Sequence, residues 1–170
     1  MASLVEELVT ILNQEQILYD TLTEICKQKT QIIVTADIPA LEALTVIEQE
    51  KTDELLSYAN KQVQILTDIK NVLGKAEEHI TVTTLIGFLG SQPEVQKKLT
   101  VARDALVASA KKMQAINAQN EILLKQAIEM TEFDITLFKS MRQAPQTANY
   151  NKNALNAGTI LGGSSFEAKQ

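Results

Sequence analysis

From Leu99 onward, apolar or small side chains return at alternating steps of three and four residues. The series is Leu99, Ala102, Leu106, Ser109, Met113, Ile116, Asn120, Leu123, Ala127, Met130, Asp134, Leu137 and Met141. Only Ser109, Asn120 and Asp134 in it are polar. A repeat of this kind, sustained over six heptads, keeps one face of a helix turned toward partner helices. Neither Pro nor Gly interrupts the chain between Pro93 and Pro145. The spacing therefore predicts a single helix of roughly 48 residues, ~70 Å long at 1.5 Å per residue. That is far longer than the average helix of a globular protein. Chains built this way usually act by presenting helical surface to other proteins, and seldom by enclosing a substrate.

The rest of the chain agrees with an all-α fold. Of 170 residues, 45% are hydrophobic, enough for a core, while aromatics are only 4% and Trp is absent. Sheet proteins rely more on aromatic and turn-forming residues. The length suits one domain with or without a tail. A net charge of −5 disfavours nucleic acid, which needs a basic footprint. No apolar run approaches the ~20 residues of a membrane span. The start of the chain has no basic stretch followed by an apolar one, so no signal peptide is expected. Cys26 is the only cysteine and reads as a small core hydrophobe, which suits a reducing cytoplasm. Charge is unevenly spread. Residues 1–74 carry twelve acidic and five basic side chains, whereas residues 91–142 carry six and eight. Opposite signs favour packing of the long, mildly basic helix beside two acidic ones, and this accounts for its basic residues without an anion site.

Ser3 and Glu6 have the spacing of a capping box at the start of a first helix. Its stripe is Leu4, Val5, Leu8, Leu12, Tyr19, Leu22, Ile25, Cys26, Ile32 and Ile33, wide enough to touch two neighbours. It is expected to end near Val34. Asp37 should cap the second helix, with Pro39 tolerated in the first turn. That helix is expected from Ile38 to Leu73, with Leu41, Leu44, Ile47, Leu55, Tyr58, Ile65, Ile69, Val72 and Leu73 as its stripe. Gly74 would be its C-terminal cap. Glu48 and Lys51 occupy seam positions, where polar residues fix register. Residues 75–90 hold a short apolar cluster, Leu85, Ile86, Phe88 and Leu89. Thr81 can cap a short helix there, folded over the end of the bundle. Ser91 should cap the long helix. Residues 143–170 are rich in Gln, Asn, Ala, Gly and Ser, and are expected to be a flexible, disordered C-terminal tail.

The expected fold is an all-α, elongated antiparallel bundle over 1–142, with three long helices and a short helix between the second and third. The third helix exceeds its partners by about a dozen residues. Its excess, from about Ile128 onward, carries Met130, Phe133, Leu137, Phe138 and Met141. These residues are expected to form an exposed apolar stripe, the kind of patch that marks interaction sites. Burial by a dimer or inside the bundle are the alternatives.

Nothing in the sequence points to an enzyme. There is no glycine-rich phosphate loop, no Cys/His cluster and no His beside a Ser or Cys. A di-metal site in a bundle needs Glu-x-x-His pairs on two helices, and His79 is the only histidine. It reads as a solvated loop or capping residue. No catalytic residue, metal or cofactor is expected. Asn120, at a seam position, should set register rather than bind a ligand.

Several segments, in order, resemble the FlgN family of flagellar export chaperones across about residues 4–165. They are Leu8, Leu12, Glu15, Tyr19, Leu22 and Lys29; Asp37-Ile38-Pro39-Ala40-Leu41 running to Ile47-Glu48-Gln49-Glu50; the Thr-rich stretch Thr81 to Leu85; Asn117-Ala118-Gln119-Asn120-Glu121-Ile122-Leu123-Leu124; and Tyr150 followed by Gly158. The resemblance implies a cytoplasmic chaperone. It would bind hook-associated proteins of the FlgK and FlgL type through their amphipathic C-terminal helices and deliver them to the flagellar type III export gate. The client-binding residues are then expected to be Met130, Phe133, Leu137, Phe138 and Met141, with Tyr150 as an anchor in the tail. A weak homodimer fits this reading. The alternatives are a structural coiled coil forming a permanent oligomer and, against the acidic first two helices, a membrane- or granule-coating amphipathic protein.

Overall fold

A computed structural model describes residues 2–74 and 80–143 of the chain. The described residues are almost entirely helical: α1 Ala2–Thr35, α2 Ile38–Val72, α3 Val82–Phe88 and α4 Pro93–Gln143. Three long helices with a short one between the second and third is the expected all-α arrangement. Among the described residues no helix is long and apolar enough to cross a membrane. Contacts divide the chain into two compact units, Met1–Lys125 and Gln126–Gln170.

The first unit is a three-helix bundle closed by α3. Lys29 of α1 pairs with Glu48 of α2, while Ile65 and Ile69 of α2 join Val5 and Leu8 of α1 in one cluster. The two helices are therefore antiparallel. Along α4, Lys97 and Lys98 share a cleft with Val9 and Asn13, and Asn120 reaches Cys26. α4 therefore runs in the same direction as α1.

The connection between α1 and α2 is two residues long, and hydrogen bonding explains how it can be. The Asp37 N–H donates to the Ile32 carbonyl at 3.2 Å and the Ala36 N–H to the Ile33 carbonyl at 3.1 Å. This is a Schellman ending, which needs a left-handed residue after the cap. Ala36, at φ +53°, supplies it in the place where glycine is favoured. Asp37 then caps α2, its carboxylate accepting from the Ala40 N–H at 3.0 Å, as its sequence position indicated. Gly74 ends α2 at φ +66°, its N–H donating to the Asn71 carbonyl. Thr81 and Thr84 form the reciprocal capping box of α3.

Two expected caps shift. α1 already begins at Ala2, so Ser3 lies inside its first turn and is not the cap residue. α4 begins at Pro93, and the first helical bond runs from the Gln96 N–H to the Gln92 carbonyl. Gln92 holds the cap position, and Ser91 lies one residue too early for its hydroxyl oxygen to accept from the first-turn N–H groups. Pro93 takes the first helical position, where a missing N–H costs nothing.

The main core cluster joins Val5, Leu8, Ile11 and Leu12 of α1 to Ile65 and Ile69 of α2. Ile80, Val82, Leu85 and Leu89 around α3, with Leu99 and Ala102 of α4, complete it. α3 is thus a plug at the end of the bundle where α2 stops and α4 starts. The Gln96 side chain ties it down, donating to the Ile86 carbonyl at 2.9 Å. A second cluster holds Leu22, Ile25 and Leu44, with Ile32, Leu55 and Met113 packed against it. In the expected stripe of α2, Ile47 and Val72 are exposed. Around Ile47 the seam passes through Leu44 and Glu48, which leaves Ile47 on the flank.

Between the two clusters α1 turns Glu15 inward, 3% exposed. It makes no ion pair or hydrogen bond among the described residues, and burial raises its carboxyl from 4.5 to about 7. Its charge in turn adds to burial in raising the Tyr19 phenol. Cys26 is buried, and burial first, then Glu48, raises its thiol above the ordinary value, with Lys29 opposing. It behaves as the small core residue its position implied.

Further along, Asn120 is 2% exposed. Its Nδ2 donates to the Cys26 carbonyl at 2.7 Å, and its Oδ1 lies 2.5 Å from the Thr30 hydroxyl. That hydroxyl is also 3.0 Å from the Cys26 carbonyl. Having one proton, it serves Asn120 at the shorter distance. A polar residue inside the seam, fully paired to one turn of α1, fixes the axial position of α4 on α1.

Candidate functional site

The thirteen positions of the α4 repeat divide by exposure. From Leu99 to Ala127 each is buried or half-buried; from Met130 to Met141 each is exposed. The described part of the second unit, residues 126–143, is the last stretch of α4. Nothing in its sequence slackens the helix: it is free of Pro and Gly, and Thr131, Thr136 and Ser140 return their hydroxyls to the carbonyls of Ala127, Glu132 and Leu137. Its side-chain hydroxyls are therefore satisfied locally.

On this stretch Met130, Phe133, Leu137 and Met141 follow steps of three, four and four, which at ~100° per residue places them within an arc of about 80°. Phe138 lies beside them. All five expected site residues are exposed, at 65% for Met130, 62% for Phe133, 46% for Leu137, 70% for Phe138 and 63% for Met141. Ile128 and Ile135 are also exposed and fall on the other side of the helix. Glu129, Glu132, Lys139 and Arg142 occupy the remaining circumference. One charged residue, Asp134, stands between this arc and Phe138. The sixth expected residue, Tyr150, lies outside the described residues, as do His79 and the tail from 144 onward.

What this surface can do is bind. Two flexible thioethers and two phenyl rings on one face suit contact with another apolar helix surface. Spacing marks the stripe, and the excess length expected of the third helix marks its exposure, since the same spacing runs through the buried part of α4. Elsewhere, among the described residues, no group of three or more His, Cys, Asp or Glu is placed to hold a metal ion. A cleft of about 450 Å³ between the end of α2 and the segment entering α3 is walled by Val63, Leu66, Lys70 and Ile80. Gln62, Thr67, Thr81 and Val82 complete its lining.

Comparison with curated proteins gives no match, and comparison with solved structures gives none either. The model of one protein family, described as FlgN protein, matches residues 1–158. That span takes in the whole bundle, the Asn117–Leu124 segment and the exposed stripe, and on it the chain belongs to the FlgN family of flagellar export chaperones.

Proposed function

We propose that this chain is a cytoplasmic chaperone for hook-associated proteins of the FlgK and FlgL type. It holds the amphipathic C-terminal helices of these clients and delivers them to the flagellar type III export gate. The observation that carries this reading is the exposure of Met130, Phe133, Leu137, Phe138 and Met141 on one stretch of helix. An exposed apolar patch of this kind is costly unless a partner covers it. A client helix laid along it would bury the stripe in the helix-in-groove mode. Covering the client's helical ends would also keep them from associating before export. Residues 1–142 then serve as the folded body and 143–170 as a tail that orders on the client or the gate, with Tyr150 as its aromatic anchor.

The test is calorimetric titration of the full chain with C-terminal segments of the hook-associated proteins of the same organism. Stoichiometric binding with a negative heat-capacity change supports the reading. A stable dimer that binds neither segment supports a structural coiled coil instead.

A further inference from the structure

The apolar stripe contains a carboxylate that the client reading does not use. Asp134 occupies a seam position of the α4 repeat and is exposed. On its own helix it is flanked by Met130 at i−4, Leu137 at i+3, Phe138 at i+4 and Met141 at i+7, all apolar. The nearest basic residues along the helix are Lys139 at i+5 and Arg142 at i+8, and neither spacing brings side chains together. Among the described residues Asp134 has no ion pair and no hydrogen bond. A helix that covered the stripe with apolar side chains alone would strip water from this carboxylate and return nothing, which is strongly unfavourable.

We propose that the partner helix covering the stripe carries an arginine or lysine at the centre of its apolar face, and that Asp134 pairs with it. The inference rests on the stripe being the client-binding surface and adds the chemistry of the client. It also fixes the client's register, since a single charged pair inside an apolar seam can be satisfied at only one axial position. Charge argues against a second copy of this chain as the occupant. Antiparallel pairing about the midpoint of Ile135 and Thr136 would match Met130 with Met141 and Phe133 with Phe138. It would also set each Asp134 against an apolar Leu137, with the two carboxylates within about one turn of each other. Parallel pairing in register would place them face to face.

The experiment uses the full chain and three labelled amphipathic helical peptides of identical apolar spacing. They differ only at the central position of the apolar face, which is Arg, Leu or Glu. Fluorescence anisotropy should show the Arg peptide binding about 10-fold more tightly than the Leu peptide, the gain of a charge-assisted pair over an unpaired carboxylate. The Glu peptide should bind weakest, and the preference should shrink as salt rises. Asp134→Asn should bring the Arg and Leu peptides to within about twofold, and Asp134→Lys should transfer the preference to Glu. Binding of the Leu peptide as tightly as the Arg peptide overturns the proposal, as does an Arg preference that survives Asp134→Asn. The same titrations with hook-associated segments separate the two readings. Segments that need Phe133 and Leu137 but ignore Asp134 leave the client reading standing and overturn this one. An Arg peptide that needs Asp134, with hook-associated segments that do not bind, does the reverse.

Discussion

Replacing Glu15 by Gln should change how the stability of the bundle depends on pH. In the folded chain this carboxyl holds its proton up to about pH 7, whereas an exposed glutamate releases it near 4.5. Below about 4.5 both states are protonated and the raised value favours the folded form in full. As pH climbs from there to about 7, the unfolded chain ionises freely while the folded chain does not, and that advantage is lost. A shift from 4.5 to about 7 corresponds to about 3 kcal/mol at pH 8, with about 1 kcal/mol of it already lost at pH 5. Glutamine has the same shape and no titration. Its amide carries its own burial cost, but that cost is constant with pH. The difference in unfolding free energy between variant and wild type should therefore move by about 2 kcal/mol in favour of the variant between pH 5 and 8. For a chain of this size that is roughly 6 °C in Tm. Urea unfolding followed by circular dichroism at four pH values measures it. Parallel wild-type and variant curves across that range would refute the reasoning, because they would mean that Glu15 is hydrated in the folded state.

Other substitutions test other parts of the molecule. Phe133→Ser with Leu137→Ser should leave helicity and Tm nearly unchanged, since both residues are exposed, while weakening client binding by ~3 kcal/mol or more in calorimetry. A large fall in Tm would show that they are core. Asn120→Ala should lower stability by about 1–3 kcal/mol in urea unfolding, and a cycle with Thr30→Val should reveal coupling, because the two side chains share one hydrogen bond. Ala36→Gly should raise stability by up to about 1 kcal/mol by relieving a left-handed alanine, whereas a loss would mean that the φ of +53° is not strained. Asp134→Leu should make the chain dimerise at micromolar concentration in sedimentation velocity, and a variant that stays monomeric would weaken the case that this carboxylate opposes self-pairing.

Local chemistry was the most legible part of the sequence. Asp37, Gly74 and Thr81 mark helix ends because each satisfies backbone groups within three or four residues, a requirement visible in the sequence alone. Asn120 was legible for a similar reason: a polar residue in phase with a buried repeat has few roles. Glu15 was not recognised as a core position although Leu8, Leu12, Glu15, Tyr19 and Leu22 keep the same three-four rhythm. Charge argued for exposure, and only packing shows that the phase prevails. The partner of Glu48 was hidden too, since Lys29 lies nineteen residues away in the other arm of the hairpin. For the candidate site, spacing identified which side chains share a face. Spacing alone treats Leu123, half-buried, and Leu137, exposed, as equivalent, and it is the excess length of the third helix over its partners that sets them apart.

The two-residue junction at Ala36 and Asp37 bears on how the chain is made. One carbonyl-capping turn ends α1, and its last residue at once begins α2, so the hairpin needs nothing from later in the sequence to define its bend. The Lys29–Glu48 pair and the contacts among Leu22, Ile25 and Leu44 also lie wholly within residues 1–74. During synthesis this hairpin can form while α4 is still inside the ribosome. The long helix then emerges beside a surface that already has its direction, and the Asn120 contact with Cys26 and Thr30 comes last among the contacts that align it.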